Sequence, residues 1–156
     1  MVLVDQLYER MELIAANETT LAVLYEVYAG LFTEMTEFWQ HLSADEREHA
    51  LWVHRLEDNL RTGAFPLRVQ LIDAPAFREF HAYLEQRIHE ARSMPPSLFS
   101  ALTVARDIEK TLVERPFFEV FDSDAPQVKQ LLRALHDSTE RHFHELLAVW
   151  EAHRRR

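Results

Sequence analysis

The segment EREHA carries a glutamate and a histidine three residues apart, Glu46 and His49. On a helix this spacing places a carboxylate and an imidazole on one face, one turn apart, where both can reach the same metal ion. Iron, manganese and zinc all accept such a mixture of oxygen and nitrogen ligands. The competing interpretation is a buried hydrogen bond between the two side chains in an ordinary helical core. The two interpretations differ in whether other helices bring further ligands to the same place.

Three other polar residues interrupt apolar stripes in the same way. Glu18 lies four residues after Ile14 and three before Leu21, and Glu109 and His142 occupy similar positions in later segments. Because a buried carboxylate is costly unless it is paired or coordinates a metal, such positions indicate a shared site. The predicted metal ligands are therefore Glu18, Glu46, His49, Glu109 and His142.

The elements that must position these residues are helices. Apolar residues recur at intervals of three and four through most of the chain, which is the period of a helix with one buried face, and no strand pattern competes. Four long helices are predicted, at about 5–29, 33–61, 97–121 and 125–152, with a shorter one at about 75–93 inside a connection at about 62–96.

The connections between these helices predict the fold. Short loops make antiparallel neighbours, and one long crossover between two such pairs is the topology of a ferritin-like bundle. A length of 156 residues favours a single domain, 1–156. We therefore predict an all-α, ferritin-like four-helix bundle with a long crossover that carries an additional short helix.

The predicted turns bring the candidate ligands to common heights. Glu18 precedes residue 32, in the first predicted turn, by fourteen positions, and Glu46 follows residue 32 by fourteen. Glu109 and His142 flank the second predicted turn in the same way. Amphipathicity alone does not require this coincidence. Each antiparallel pair is therefore expected to contribute ligands near its middle.

Prolines and capping residues set the predicted helix ends. Asp73 and Asp124 each precede an Ala-Pro pair and are predicted to cap a helix. Pro116 is predicted to kink or end the regular part of the third long helix. Ser43 and Glu46 match a capping box, but the apolar stripe continues through Ser43, so no helix start is predicted there.

The ligand pattern is incomplete in the fourth long helix. A ferritin-like dimetal site takes a Glu from each of two helices and a Glu-x-x-His from each of the other two. One such motif is complete in EREHA, but Thr139 precedes His142 where the second glutamate would stand. Glu140 is rotated by about 100° from Thr139, and Asp137 faces outward. The sequence therefore predicts at least one bound metal and leaves dinuclear and mononuclear sites open.

With these motifs the chain resembles the rubrerythrin branch of the ferritin-like superfamily. EREHA looks like that family's second-helix ligand motif, and ETTLAVLYEVYA looks like its first-helix segment, with Tyr25 seven residues and Ala29 eleven residues after Glu18. TERHFHEL resembles the fourth-helix motif, with Thr139 where a ligand glutamate is usual. ALTVARDIEKTLVERPFF matches the third helix more loosely.

The resemblance implies a function and a cofactor. It implies non-haem iron, in a di-iron or mononuclear site, that reacts with peroxide or dioxygen or is simply handled as iron; manganese and zinc stay open as alternatives. Rubrerythrins typically add a cysteine-rich rubredoxin domain, and this chain has no cysteine, so an external electron donor is expected. Tyr25 and Thr139 are predicted to lie just outside the ligands, with Tyr25 either bonded to a ligand carboxylate or part of the core. By analogy with other ferritin-like bundles, a homodimer is expected.

Composition narrows the partners. The formal charge of −9 disfavours a nucleic-acid partner, since phosphate binding needs a basic surface. No segment has the long apolar run of a membrane span, and the N-terminus does not match a secretory signal. We predict a soluble, cytoplasmic protein.

Two functions of different classes are consistent with these features. The first is a metal-binding protein, possessing oxidoreductase activity toward peroxide or dioxygen if it is an enzyme. The second is a helical interaction or scaffold protein with a degenerate, metal-free site, and Thr139 is the residue that keeps this alternative open.

Overall fold

The computed structural model describes residues 2–64, 68–69, 74–116 and 121–156, and over these residues the fold class is all-α, as predicted. Two two-residue strands form the only sheet in this part of the chain. None of the helices there is long and apolar enough to cross a membrane. The helices are α1 (Val2–Leu31), α2 (Thr36–Thr62), α3 (Ala74–Ser93), α4 (Leu98–Glu114) and α5 (Pro126–Arg154), with a 3-10 turn at Thr33–Met35 between α1 and α2.

The helices pack in a bundle-like arrangement. α1 contacts α2 along most of its length, α4 contacts α5, and α2 contacts α5 to join the two pairs. α3 lies within the predicted crossover and packs against α1. The short connection between α1 and α2 makes them neighbours, as the sequence predicted.

The buried apolar residues form two clusters rather than one. The first cluster contains Leu21 on α1 and Leu42 on α2. The second cluster contains Ala15 on α1 and Val53 on α2. On α5 the first cluster contains Leu146 and the second contains Leu135. The polar layer predicted from the sequence falls in the gap between the clusters on all three helices.

The end of α4 corrects the sequence prediction. α4 ends at Glu114, not at about 121, because Pro116 lacks an amide hydrogen and disfavours helical geometry at Arg115, which has φ −133° and ψ 66°. Beyond it, Phe121–Asp122 forms a strand (β2) that pairs antiparallel with Arg68–Val69 (β1). The prediction that the chain has no strand was wrong at these four residues.

The structure confirms the prediction at Ser43 and contradicts the helix cap predicted at Asp124. α2 runs through Ser43 without a break, and the Ser43 hydroxyl donates to the Ala22 carbonyl (2.8 Å) in the neighbouring helix, which confirms that no helix starts there. α5 begins at Pro126 with Ala125 as its N-cap and no side-chain cap bond, so the prediction for Asp124 was wrong. Asp73 lies outside the described residues.

The two glycines should respond in opposite ways to alanine. Gly63 ends α2 in the left-handed conformation (φ 66°), so Gly63→Ala is expected to lower the free energy of unfolding by about 1 kcal/mol. Gly30 lies within α1 with open space around its α-carbon, so Gly30→Ala should raise it by about 0.5 kcal/mol. Urea denaturation of both variants measures the difference, and effects of the same sign would contradict the described backbone.

Candidate metal centre

Four helices bring the five predicted ligands together between the two apolar clusters. α1 supplies Glu18, α2 supplies Glu46 and His49, α4 supplies Glu109, and α5 supplies His142. All five are buried; the most exposed, Glu18, retains 4% of its accessible surface. The mirrored spacing about the two turns therefore predicted a real juxtaposition.

Glu46 lies at the centre of this group. Its Oε2 is 3.1 Å from His49 Nδ1, and its Oε1 is 2.9 Å from His142 Nδ1. Two triads result, each with one donor atom per residue and all three atoms within 4.8 Å of one another. The triads share Glu46; they are Glu18–Glu46–His49 and Glu46–Glu109–His142.

The two halves of the centre are arranged alike. Glu18 Oε2 is 3.5 Å from His49 Nδ1, and Glu109 Oε1 is 3.7 Å from His142 Nδ1. The two imidazole rings stack, with centroids 5.5 Å apart and planes 22° apart. Each triad thus offers one terminal carboxylate, one imidazole and one oxygen of the shared carboxylate.

The far nitrogens of the histidines contact residues outside the ligand set. His142 Nε2 is 2.9 Å from Asp45 Oδ2, and His49 Nε2 is 2.7 Å from Ser138 Oγ. A ligand histidine is normally oriented by such a bond from its other ring nitrogen. The Nδ1 atoms are therefore directed at the carboxylates, where a metal would replace their protons.

Two carboxylate oxygens are left without a hydrogen-bond partner. Glu18 Oε2 and Glu109 Oε2 are both buried and neither accepts a hydrogen bond. A buried polar atom without a partner costs about 1–3 kcal/mol, and more for a charged group. One such oxygen in each triad, on a carboxylate beside an imidazole, fits a transition-metal ion held by mixed oxygen and nitrogen ligands.

The three carboxyl groups of the metal-free centre differ in the direction in which their pKa values are shifted. Burial, and after it the negative charge of Glu46, raises the pKa of Glu18 well above its usual range and that of Glu109 to about 7. Burial opposes ionisation of Glu46 as well, but the His49 charge and hydrogen bonds from its neighbours outweigh it, so the pKa of Glu46 is held well below its usual range. Glu46 is therefore the carboxylate that stays ionised.

Both histidines hold protons in the metal-free centre. Burial lowers the pKa of His49, but the charge of Glu46, together with the nearby Glu18 carboxyl, raises it to about 10. For His142, hydrogen bonds to Asp45 and Glu46 and the nearby Glu109 carboxyl overcome the effect of burial and raise the pKa to about 12. Metal binding must therefore displace protons from two imidazolium ions.

The metal-free protein should lose stability as the pH rises from 7 to 9. An unfolded histidine has a pKa near 6.5, so the stabilisation from these imidazolium pairs is complete below about pH 6.5 and is lost as pH rises toward the folded values. The expected loss is up to on the order of 1 kcal/mol per pH unit for each histidine. Urea denaturation of chelator-treated protein measures it.

His142→Gln is the comparison for this pH dependence. It removes one of the two titrating histidines, so the stability of the variant should fall less steeply with pH than that of the original chain. A free energy of unfolding that rises between pH 7 and 9 would contradict the assigned protonation.

Thr139 and its neighbours lie as the sequence indicated. Thr139 is buried on α5, and its hydroxyl donates to the Leu135 carbonyl (2.9 Å). The side chains of Glu140 and Asp137 keep 46% and 64% of their surface exposed, so neither replaces the missing glutamate. The described site therefore has three carboxylates and two imidazoles, one carboxylate fewer than a ferritin-like dimetal set.

Tyr25 contacts the site directly. Its hydroxyl donates to Glu109 Oε1 at 2.7 Å, and the tyrosine is fully buried. This bond leaves Oε2 as the free oxygen of Glu109. The prediction that Tyr25 bonds one of the carboxylates named as ligands agrees with the structure.

Two residues of the site were missed from the sequence. Asp45 and Ser138 each lie one residue before the positions of the Glu-x-x-His pattern, Glu46 and Thr139. The sequence feature that could have identified them is that both residues directly precede equivalent positions of the two motifs. Each bonds the histidine of the other motif, across the interface of α2 and α5.

Comparisons with known proteins assign no family to the chain: no protein-family model, no curated protein and no solved structure gives a significant match.

Proposed function

We propose that this chain is a non-haem metal-binding protein, with iron as the first candidate metal and manganese or zinc as alternatives. The observation that carries the proposal is the pair of buried triads that share Glu46, each with one carboxylate oxygen that accepts no hydrogen bond. An ion in each triad would satisfy these oxygens and replace the imidazole protons.

The metal explains why this layer is polar. Taking charged groups out of water costs several kcal/mol per ion, and a tightly packed apolar layer is often as stable as a buried ion-pair cluster or more so. Three buried carboxylates around two imidazoles, between two apolar clusters, are therefore expensive as a purely structural device. Metal coordination gives these residues a use that offsets the cost.

The arrangement of helices supports a ferritin-like fold as part of the proposal. α1 packs with α2, α4 packs with α5, and α3 occupies the long connection between the pairs. Ligands come from all four long helices at one level, as in ferritin-like dimetal bundles. The proposal places the chain beside the rubrerythrin branch, as a homodimer in the cytoplasm.

The residues of the centre have different roles in the proposed function. If the bound metal is iron, it would supply the reduction of peroxide or dioxygen. Glu46 bridges the two triads, Asp45 and Ser138 orient the histidines, and the two apolar clusters exclude water. An external donor supplies the electrons, and iron handling without turnover uses the same ligands.

A metal-free scaffold is the second candidate function. Thr139 in place of a second bridging glutamate favours it, as do the ion pairs that already satisfy both histidines. In that case the five residues form a buried structural network and nothing more.

Elemental analysis before and after anaerobic Fe(II) loading and desalting tests the proposal. We expect about two iron atoms per chain if both triads bind, and about one if Thr139 prevents the second. His49→Ala should reduce the iron content, whereas His54→Ala, an exposed histidine on the same helix, should leave it unchanged. An absence of iron, manganese and zinc after loading would favour the scaffold function.

A further inference from the structure

Polar side chains join the candidate metal centre to the protein surface at the edge where α2 meets α5. The fully buried His142 has its Nε2 2.9 Å from Asp45 Oδ2, and the same Asp45 oxygen is 3.5 Å from His41 Nε2. The side chain of Asp45 is 19% exposed and that of His41 is 56% exposed. His142, Asp45 and His41 thus form a path from a buried candidate ligand to an exposed imidazole, here called the surface path.

We propose that His41 and Asp45 are the entry point through which divalent transition-metal cations reach the centre. The two residues lie four positions apart on α2, so an imidazole nitrogen and a carboxylate oxygen lie together on one face of the helix. This pair of donors suits the same metals as the centre itself. The proposal rests on the proposed function, because an entry point has a use only where the centre holds a metal.

Asp45 has the contacts that a transfer step needs. Its Oδ2 lies within 3.5 Å of one nitrogen of His41 and within 2.9 Å of one nitrogen of His142. The carboxylate can therefore stay bound to a cation while one imidazole replaces the other, so the cation need not return to water between the two. His142 Nδ1 lies 2.9 Å from Glu46 Oε1, the carboxylate that both triads share. The surface path thus leads to the middle of the centre.

Arg141 of α5 lies beside the surface path and carries the opposite charge to Asp45. Its Nη2 is 3.7 Å from Asp45 Oδ2 and donates a hydrogen bond to Ser138 Oγ at 3.3 Å. A guanidinium at this place repels an incoming cation and competes with it for the Asp45 carboxylate. Glu145 Oε1, 4.0 Å from Arg141 Nε, is a second carboxylate that can hold the arginine when it leaves Asp45. Arg141 is therefore expected to limit the rate of metal entry.

A second group of possible ligands on α5 is the competing entry point. His136, Asp137 and Glu140 offer one donor atom each, all within 4.8 Å of one another, and their side chains are 45%, 64% and 46% exposed. The distances of 3.4 and 3.9 Å join His136 to its two acidic neighbours, whereas the distances from Asp45 reach a candidate ligand. The test must therefore separate His41 from His136.

Stopped-flow measurement of Co(II) uptake tests the entry point separately from metal capacity. Chelator-treated protein is mixed anaerobically with Co(II), whose visible absorption changes as protein ligands replace water, and elemental analysis gives the final metal content. His41→Ala should slow uptake by about fivefold, and Arg141→Gln should speed it by about tenfold, within the range by which local charge alters association rates. Neither residue belongs to a triad, so both variants should reach the metal content of the original chain.

Two histidines and one arginine provide controls. The side chain of His54 on α2 is 54% exposed and lies 3.7 Å from the carboxylate of Glu57, which closely matches the surroundings of the entry histidine. Arg47 is 45% exposed and pairs with Glu26 at 2.7 Å. His54→Ala, Arg47→Gln and His136→Ala should take up Co(II) at the rate of the original chain.

The rate and the final content separate this inference from the proposed function. An unchanged rate in His41→Ala, a rate in Arg141→Gln that is no faster, or slower uptake in His136→Ala instead would overturn the entry point, while a normal final content would leave the proposed function standing. If the original chain took up no Co(II), the proposed function would fail and the entry point with it. Slower uptake in His41→Ala and faster uptake in Arg141→Gln, both with normal content, would support the entry point.

Discussion

Glu46→Gln is expected to abolish metal binding at both triads. Glu46 is the one residue that the triads share, and it is the carboxylate whose pKa is held well below its usual range, so its charge would serve an ion in either triad. The apparent affinity should fall by more than the roughly 10–100-fold that loss of an outer-shell partner costs. Isothermal titration with Fe(II) or Mn(II) under anaerobic conditions, together with elemental analysis, measures the loss.

The terminal carboxylates should act on one triad each. Glu18→Gln should weaken only the triad that contains His49, and Glu109→Gln only the triad that contains His142. Glu57→Gln is the matched control, because Glu57 is also buried on α2 but pairs with Arg61 at 2.6 Å, away from the centre. If Glu46→Gln removed no more metal than Glu18→Gln, the shared role of Glu46 would be wrong.

Glu46→Gln should also remove the stabilisation that bound metal gives the folded protein. A ligand present at about one hundred times its dissociation constant stabilises the native state by about 2.7 kcal/mol at each site. For a chain of this size that corresponds to a rise in Tm on the order of 5–10 °C. The original chain should show this metal-dependent rise in Tm, and Glu46→Gln should not.

The placement of the candidate ligands could be predicted because it depends on two simple quantities. Side-chain direction on a helix follows the residue number, and height in an antiparallel pair follows the distance from the turn. Glu18 and Glu46 are equidistant from residue 32, and both were placed correctly by this reasoning. Neither quantity requires knowledge of how the two helix pairs are docked.

The partners of the histidines depend on that docking, and the sequence did not reveal them. Asp45 reaches His142, and Ser138 reaches His49, across the contact between α2 and α5. Which flanking residue faces the opposite helix is set by the rotation of each pair about its own axis, and amphipathic spacing fixes that rotation only coarsely. Asp45 was therefore indistinguishable in the sequence from a residue of a solvated face.

The short strands were missed for a similar reason. Phe121–Asp122 and Arg68–Val69 are two residues long, so neither shows a period that can be read from sequence. They pair because the fold brings the α2–α3 and α4–α5 connections together. Pro116 did indicate that α4 stops, but its position did not indicate the strand that lies beyond it.

Thr139→Glu is expected to have opposite effects with and without metal. In the metal-free protein a fourth carboxyl would be buried at this position, and the free energy of unfolding should fall by about 3 kcal/mol, or on the order of 10 °C in Tm. In the loaded protein the new carboxylate completes the second Glu-x-x-His pair with His142. The affinity for the second metal should then rise about tenfold, equivalent to about 1.4 kcal/mol.

Thr139→Gln separates charge from size in this experiment. Glutamine has the same length as glutamate and also removes the bond from Thr139 to the Leu135 carbonyl, but it supplies no negative charge. It should destabilise the protein to a similar extent in both states and leave metal affinity unchanged. Because the two variants differ in the charge of the side chain, a Thr139→Glu chain that loses equal stability with and without metal would mean that position 139 does not face the candidate metal centre.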